Sequence, residues 1–445
     1  MLITVIITLC IILAQFTVLQ ALLLNYVVHQ PTSRVYSTIV LRDANDVLIA
    51  TNTSLLLLSL NDGILYELPI KKIYDLEILT NNSFIGSGEA FGRAYLTLLT
   101  KNFTATSIRF TVNSALYDSI VNKDVILSTG YVLVDSFYKI LLTRFEKSEV
   151  TSYIVDCPSS CYGRKLLVAK DGKTILVGSL FLRGQNYQWS YDVFYGVINN
   201  TSVVGSYISL EGNEYVVNSF IINNSIYTVV NSDLLGLHIV VTNYEDFSSS
   251  AYRVLVDGKK VECTSSSYYE DLLLIVAEDL ELRERYVVLL NTSSGSVASY
   301  YLGNILANIL VVDGWVILLN SYADPLKSEL TILDFEDLPA YLKRFNTKYV
   351  SLNAVRVPIS QVELVIKSYG LSYEVSTDTI PRSLVDVVAT ASTEPIQSTF
   401  ITPPVKSPYT LKGEEATWGK TSTLIVGVIL ILVSIILKYL MRIRS

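Results

Sequence analysis

Along most of the chain, an apolar run turns at Asn, Asp or Gly and a second apolar run answers it. The segment "LLVAKDGKTILVGS" shows the arrangement plainly: strand, tight Asp-Gly turn, strand. The same arrangement is read in "TIVLRDANDVLIATN", "LEILTNNSFIGSG", "VILSTGYVLVDS", "SFIINNSIYTVVNS", "SYYEDLLLIVAED" and "NILVVDGWVILLNS", and more faintly in "NAVRVPISQVELVIKS". Taking Asn45, Asn82, Gly130, Gly172, Asn224, Asp271, Gly314 and Ser360 as turns, the spacing is about 45 residues. A third strand follows each hairpin, as in "AYLTLLTKN" and "LHIVVTNYED", and usually a fourth, more polar one, as in "SAYRVLVDG". Helical periodicity is confined to a turn around "LPAYLKRF".

Four short strands per unit of about 45 residues predict an all-β chain, a β-propeller of seven or eight four-stranded blades. The first two strands of a unit are apolar throughout because both their faces are covered by neighbouring units, whereas outer strands alternate. Ring closure needs a strand from the other end of the chain. "NYVVHQPTSRVYS" is available for it and is expected to pair with "LSYEVS" near Tyr373. A stacked pair of β-sandwiches is the alternative fold. The "KDGKTILV" hairpin resembles the Asp-Gly-Lys turns of TolB-like propellers, which implies fold and not activity. The Trp-Asp ending of WD40 blades and the tryptophan docking motifs of quinoprotein propellers are missing, so no cofactor is expected.

The two ends read differently. From Leu424 to Leu437 every residue is apolar or small, and taken from Thr421 to Met441 the stretch reaches about 20 residues, which as a helix spans roughly 30 Å, the thickness of a bilayer core. Trp418 precedes it, and Lys438, Arg442 and Arg444 close it, so the tail is expected inside and the rest outside. The N-terminal run has no charged side chain before Arg34, and is either a secretory signal cleaved near Ala21, the preferred reading, or an uncleaved anchor. Five of the eleven prolines fall between Pro381 and Pro408 among Thr and Ser, a composition that prefers extended backbone. The expected organisation is therefore a signal or anchor over 1–21, a propeller ectodomain over 22–377, a stalk over 378–417, a transmembrane helix over 418–441 and a cytoplasmic tail over 442–445. Such a stalk reaches roughly 120 Å when extended.

Composition adds a compartment. The formal charge is −7 with no basic run outside the C-terminal end, which argues against nucleic acid as a partner. Scarce His, Met and Gln with 30 Tyr resemble surface proteins of hot-spring archaea. Seven Asn-x-Ser/Thr sequons, at Asn52, Asn81, Asn102, Asn199, Asn200, Asn223 and Asn291, fall in expected turns or strand ends, where a glycan stands in solvent. Cys157 and Cys161 close a small disulfide loop over Pro158, or else they and Cys263 are free buried thiols.

Chemistry is sparse. No Gly-x-Ser-x-Gly, His-Glu-x-x-His or P-loop is present. "IGSGEAFGR" sits inside a hairpin and opens no helix, so close packing explains Gly86 and Gly88. His29 and His238 read as structural. Glu278 with Asp279, and Glu281 with Glu284, could pair as acid and base, but their hairpin loop reads as a solvated rim. Neither "YADPLKSE" nor "DFED" has the alternating oxygen ligands of a calcium loop. The pairs Tyr268–Tyr269 and Tyr300–Tyr301 fit strand propensity better than recognition. Catalytic, cofactor and metal residues are thus expected to be none. The expected function is a membrane-anchored, glycosylated platform on a cell or virion, binding an extracellular protein or carbohydrate. The alternative is an ecto-enzyme, a hydrolase or lyase with its site in the propeller channel.

Overall fold

The computed structural model describes residues 23–28, 35–41 and 46–392, with short breaks inside the last range. Its strands fall into antiparallel meanders of four, because each apolar hairpin recruits the next two strands of its own unit. Six meanders occupy residues 35–68, 73–112, 113–156, 161–208, 214–256 and 262–303. The seventh takes Leu306–Val312, Trp315–Tyr322 and Lys327–Asp334 from one end of the chain and Leu23–Val28 from the other, with Leu24 opposite Ile332. N-terminal closure is therefore present, but its partner is not the segment near Tyr373, which pairs with Phe110.

Alternate side chains of the inner strands pack against opposite neighbours. Leu273, Ile275 and Ala277 join Val229 and Ile239 of the preceding meander, while Leu274 and Val276 join Ile309 and Val316 of the next. Seven apolar clusters connect consecutive meanders in this way, and the last returns from Ile317 and Leu319 to Val47 and Ile49 of the first. Burial on both faces is what makes these strands read as unbroken apolar runs.

Two expected hairpins are corrected. Gly130 is not a turn: Val125–Val134 is one strand, and its hairpin partner is the second half of the nineteen-residue strand Thr104–Asn122. Glycine is required there because a Cβ would stand 1.8 Å from the Ala115 carbonyl oxygen. The same reason holds for Gly88, whose Cβ would meet the Lys72 oxygen at 1.9 Å. The eighth hairpin does not form either. Its halves, Val350–Val355 and Ile359–Ser368, pair with different sheets.

Those halves belong to a belt. After a short 3₁₀ turn, Phe335–Asp337, and the helix Leu338–Leu342, the chain runs back around the ring and lays a strand on the outer edge of every meander. Thr347–Lys348 pairs with the sixth and Val350–Val355 with the fifth. Ile359–Ser368 covers the fourth and then the third, and Tyr373–Thr379 covers the second. Ser383–Leu384 and Val387–Ser392 reach the first and the seventh. Pairing thus extends to Ser392, and the strands Ser383–Leu384 and Val387–Ser392 fall within the stretch expected to be a stalk. Among the described residues no helix is long and apolar enough to cross a membrane. Residues 1–21 and 393–445, including the expected anchor over 418–441, lie outside the described residues.

Candidate functional site

Among the described residues six inner strands carry a β-bulge at the same place. The pairing skips one residue at Tyr36, Tyr74, Tyr117, Arg164, Val217 and Thr264. A bulge re-aims the residues beside it, and here it sets a repeated contact between neighbours. The residue after the bulge bonds the backbone of the next inner strand. Ser37 Oγ accepts from the Leu76 N–H at 3.2 Å, Asp75 from Ser119 at 3.0 Å, and Asp118 from Leu166 at 2.7 Å. Asn218 Nδ2 donates to the Ser266 carbonyl at 3.1 Å, and Ser265 Oγ accepts from Ile309 at 3.3 Å. Lys165, at the equivalent place in the fourth meander, reaches back instead, to Asp118 and, at 3.8 Å, to Asp75.

These strands line a channel of about 1330 Å³. Burial pushes the Asp75 carboxyl up, against the pull of Lys165. Burial, and then the neighbouring Asp75, push Glu77 up to about 8, and burial pushes Asp118 up to about 7. Lys165 loses solvation, yet Asp118 and Asp75 more than compensate and hold its amine charged.

Where the inner strands begin, tyrosines line one sector of the channel mouth. Tyr117, Tyr131, Tyr138, Tyr162, Tyr191 and Tyr215, with Arg164 and Ser179, enclose a pocket of about 270 Å³. The rings touch in series: Tyr74 to Tyr117 at 5.3 Å, Tyr131 to Tyr162 at 5.7 Å and Tyr162 to Tyr191 at 5.5 Å. Phe181 and Trp189 continue the series beyond Tyr191. The Arg164 guanidinium lies 4.2 Å from the Tyr117 ring centre. Where the same strands end, the channel is lined by Ile78, Val168, Ile221, Tyr268 and Val311.

Tyr268 and Cys263 apart, the residues singled out from sequence lie away from the mouth and the channel lining just described. Glu278 and Asp279 are not a solvated rim. They are buried, Glu278 holding Arg285 at 3.0 Å and Asp279 holding Lys259 at 3.4 Å. Glu284 accepts from Tyr286 and Tyr301, and Tyr269 packs on Phe335, so these groups serve structure. His238 is buried with Nδ1 2.9 Å from the Gly236 oxygen, and burial lowers its pKa. Cys157 and Cys161 are joined as a disulfide, Cα atoms 6.5 Å apart, and Cys263 is free and buried. Asn102, Asn199, Asn200 and Asn223 are exposed in turns, and Asn291 ends a strand. Asn52, Asn81 and His29 lie outside the described residues. The mouth itself went unread. Its signal was the recurrence of "VYS", "IYD" and "LYD" at one offset in the first three inner strands.

No protein-family model matches the chain, and no curated protein does. Solved structures show a distant likeness. A quinoprotein alcohol dehydrogenase-like protein of Bacteroides thetaiotaomicron is 12% identical, over 67% of this chain and 68% of that one, with a TM-score of 0.37. The Cps50 (Swd1) β-propeller domain of Myceliophteria thermophila is 10% identical over 67% and 83%, TM-score 0.32. The WD40 domain of SCAP from fission yeast is 10% identical over 69% and 96%, TM-score 0.36. What decides the class is the ring of meanders around one channel. The chain folds as a β-propeller. Its blades are the meanders, and its candidate site is the tyrosine-lined mouth of the propeller channel.

Proposed function

We propose that this chain is a seven-bladed, membrane-anchored surface protein that presents the tyrosine-lined face of its propeller as a binding platform. One observation carries the reading: the two faces differ in kind. Turns between first and second strands, and between third and fourth, emerge on one face. Turns between second and third strands, and the connections between blades, emerge on the other. Contacts across turns follow this division, Tyr244 bonding Asn224 on the first face and Asn213 bonding Asp233 on the second. All five described sequons (Asn102, Asn199, Asn200, Asn223 and Asn291) fall on the first. The second holds the tyrosine mouth and exposed apolar tips on successive blades: Phe91, Phe137, Trp189, Leu234 and Leu282. Glycans on one face leave the other bare for a partner, and tyrosine and tryptophan are the residues that recognition surfaces favour.

The anchor over 418–441, the stalk reduced to 393–417 and the outside position of the head rest on the sequence pattern alone. So do the glycans and the archaeal or viral setting. Protease treatment of intact cells or particles tests topology: the head should be degraded while a C-terminal tag survives, and the reverse result rejects the orientation. For the platform, an extracellular protein or carbohydrate captured by the full chain should be lost in the Tyr162→Ala/Tyr191→Ala double variant. It should be kept in Asn199→Gln/Asn223→Gln, and the opposite pattern rejects the assignment of the face.

A second reading, an ecto-enzyme, draws on the three carboxyl groups in the channel. Asp75 and Asp118 are already engaged by backbone N–H groups and Lys165, which leaves Glu77 to work without a free carboxylate partner. Hydrolysis of a glycoside or ester that stops in Glu77→Gln would favour this reading over the platform.

A further inference from the structure

Resting on the platform reading, the geometry points to a carboxylated pyranose, the uronic acid unit of an acidic saccharide, as the ligand of the tyrosine pocket, with Arg164 receiving its carboxylate. Size is the first argument. A volume of about 270 Å³ lies just below the range of ordinary small-molecule pockets, roughly 300–1,000 Å³, and admits one monosaccharide-sized ring.

The lining is the second argument. A pyranose presents an apolar C–H face and a rim of hydroxyls, and tyrosine offers the complement, a flat apolar body with a polar tip. Here the rings brace one another. Tyr138 lies 5.1 Å from Tyr162, and the Tyr162 and Tyr191 hydroxyls are 3.3 Å apart, so ordering entropy is largely met before a ligand arrives.

Charge is the third. Among the described residues Arg164 pairs with no carboxylate, although Asp118 and Asp75 line the same channel. Lys165, the next residue, takes both. The bulge itself does not require arginine, since the equivalent places in the next two blades are Val217 and Thr264. A planar guanidinium over a tyrosine face, free of protein carboxylates, is suited to grip a carboxylate bidentately. A quaternary ammonium is disfavoured because Arg164 already stands 4.2 Å over the ring that would hold it. A neutral sugar would leave the guanidinium without a counter-ion.

The test uses the purified full-length chain with oligogalacturonate and its methyl ester as probes. Binding is read by the fluorescence of Trp189, which stacks on Phe181 at 5.3 Å beside the pocket, and by calorimetry. Oligogalacturonate should bind at least tenfold more tightly than the ester. Arg164→Gln should abolish that preference, acid and ester then binding alike, and Tyr162→Ala/Tyr191→Ala should remove the binding of both. Equal binding of acid and ester by the unmodified protein overturns the assignment, and so does a preference that survives Arg164→Gln. The acid–ester comparison needs no variant to fold. If neither probe binds while a captured partner is still lost in the tyrosine double variant, the saccharide inference fails and the platform stands. If that variant keeps every partner, the platform fails first.

Discussion

One position recurs around the channel, and the two sides of the ring fill it differently. Ser37, Asn218 and Ser265 bond the next blade with neutral groups, whereas Asp75 and Asp118 do so with carboxylates that need Lys165 beside them. The task is the same, a side chain tying one inner strand to the backbone of the next. Neutral groups suffice for it on three blades. The charges on blades two to four therefore exceed what architecture requires, and they lie under the same sector of the mouth that holds the tyrosines and Arg164. A buried ion pair is weak evidence for stability and better evidence for specificity or function.

Removing the counter-ion breaks the comparison most severely. Lys165→Met should strand Asp118, which is 1% exposed, and destabilise the fold by about 3 kcal/mol or more. Urea unfolding measures this, and a loss under about 1 kcal/mol would mean that the carboxyls simply take up protons. The pH dependence comes next. Asp118 near 7 and Glu77 near 8 lie well above ordinary carboxyl values. Glu214, raised to about 10 by burial and by the nearby Asp192, lies higher still. A raised carboxyl binds its proton more tightly when folded, so its contribution is full below about pH 4 and fades as pH climbs through its folded pKa. The melting temperature should fall between pH 5 and pH 9, and Glu77→Gln with Asp118→Asn should flatten the slope. A melting temperature that rises over this interval contradicts the assigned direction.

On the neutral side, Ser265→Ala removes an acceptor from a buried N–H and should cost about 1 kcal/mol. The smallest change is expected from neutralising the charged side altogether. Asp75→Asn/Asp118→Asn/Lys165→Met should stay within about 1 kcal/mol of the parent, because an amide oxygen can still accept the N–H of Ser119 or Leu166. If the triple variant loses as much as Lys165→Met alone, the charges are architectural after all.

Much of the ring was legible because burial on both faces leaves a mark in the residues. "LLLIVA" carries no polar position to alternate with, and the Asn and Gly turns beside such runs fixed most hairpins. Gly130 misled because a glycine needed for close backbone approach looks like one needed for a turn. The belt misled for a related reason. In "ISQVELVIKS" an exposed edge strand shows the alternation of any outer strand, and nothing local says which sheet it joins. The mouth was harder still, since a bulge leaves no trace in hydrophobic period. Tyr74, Tyr117 and Arg164 gather only after the blades close, and their shared offset means nothing until the inner strands are aligned.

The belt bears on how the protein is made. Among the described strands Leu23–Val28 is made before the others, yet it pairs with Lys327–Asp334 on one side and Val387–Ser392 on the other. Its partners lie roughly 300 and 360 residues further along, so closure must wait until Val387–Ser392 is synthesised, and such non-local pairing is slow. Until then the growing chain exposes outer edges that invite pairing with other chains. The belt then arrives in reverse order, covering the latest blades first and ending beside the strand that began the chain. Assembly should thus end at the seventh blade, where first and last strands meet, making this seam the point at which a newly made copy is most open to swapping strands with its neighbour.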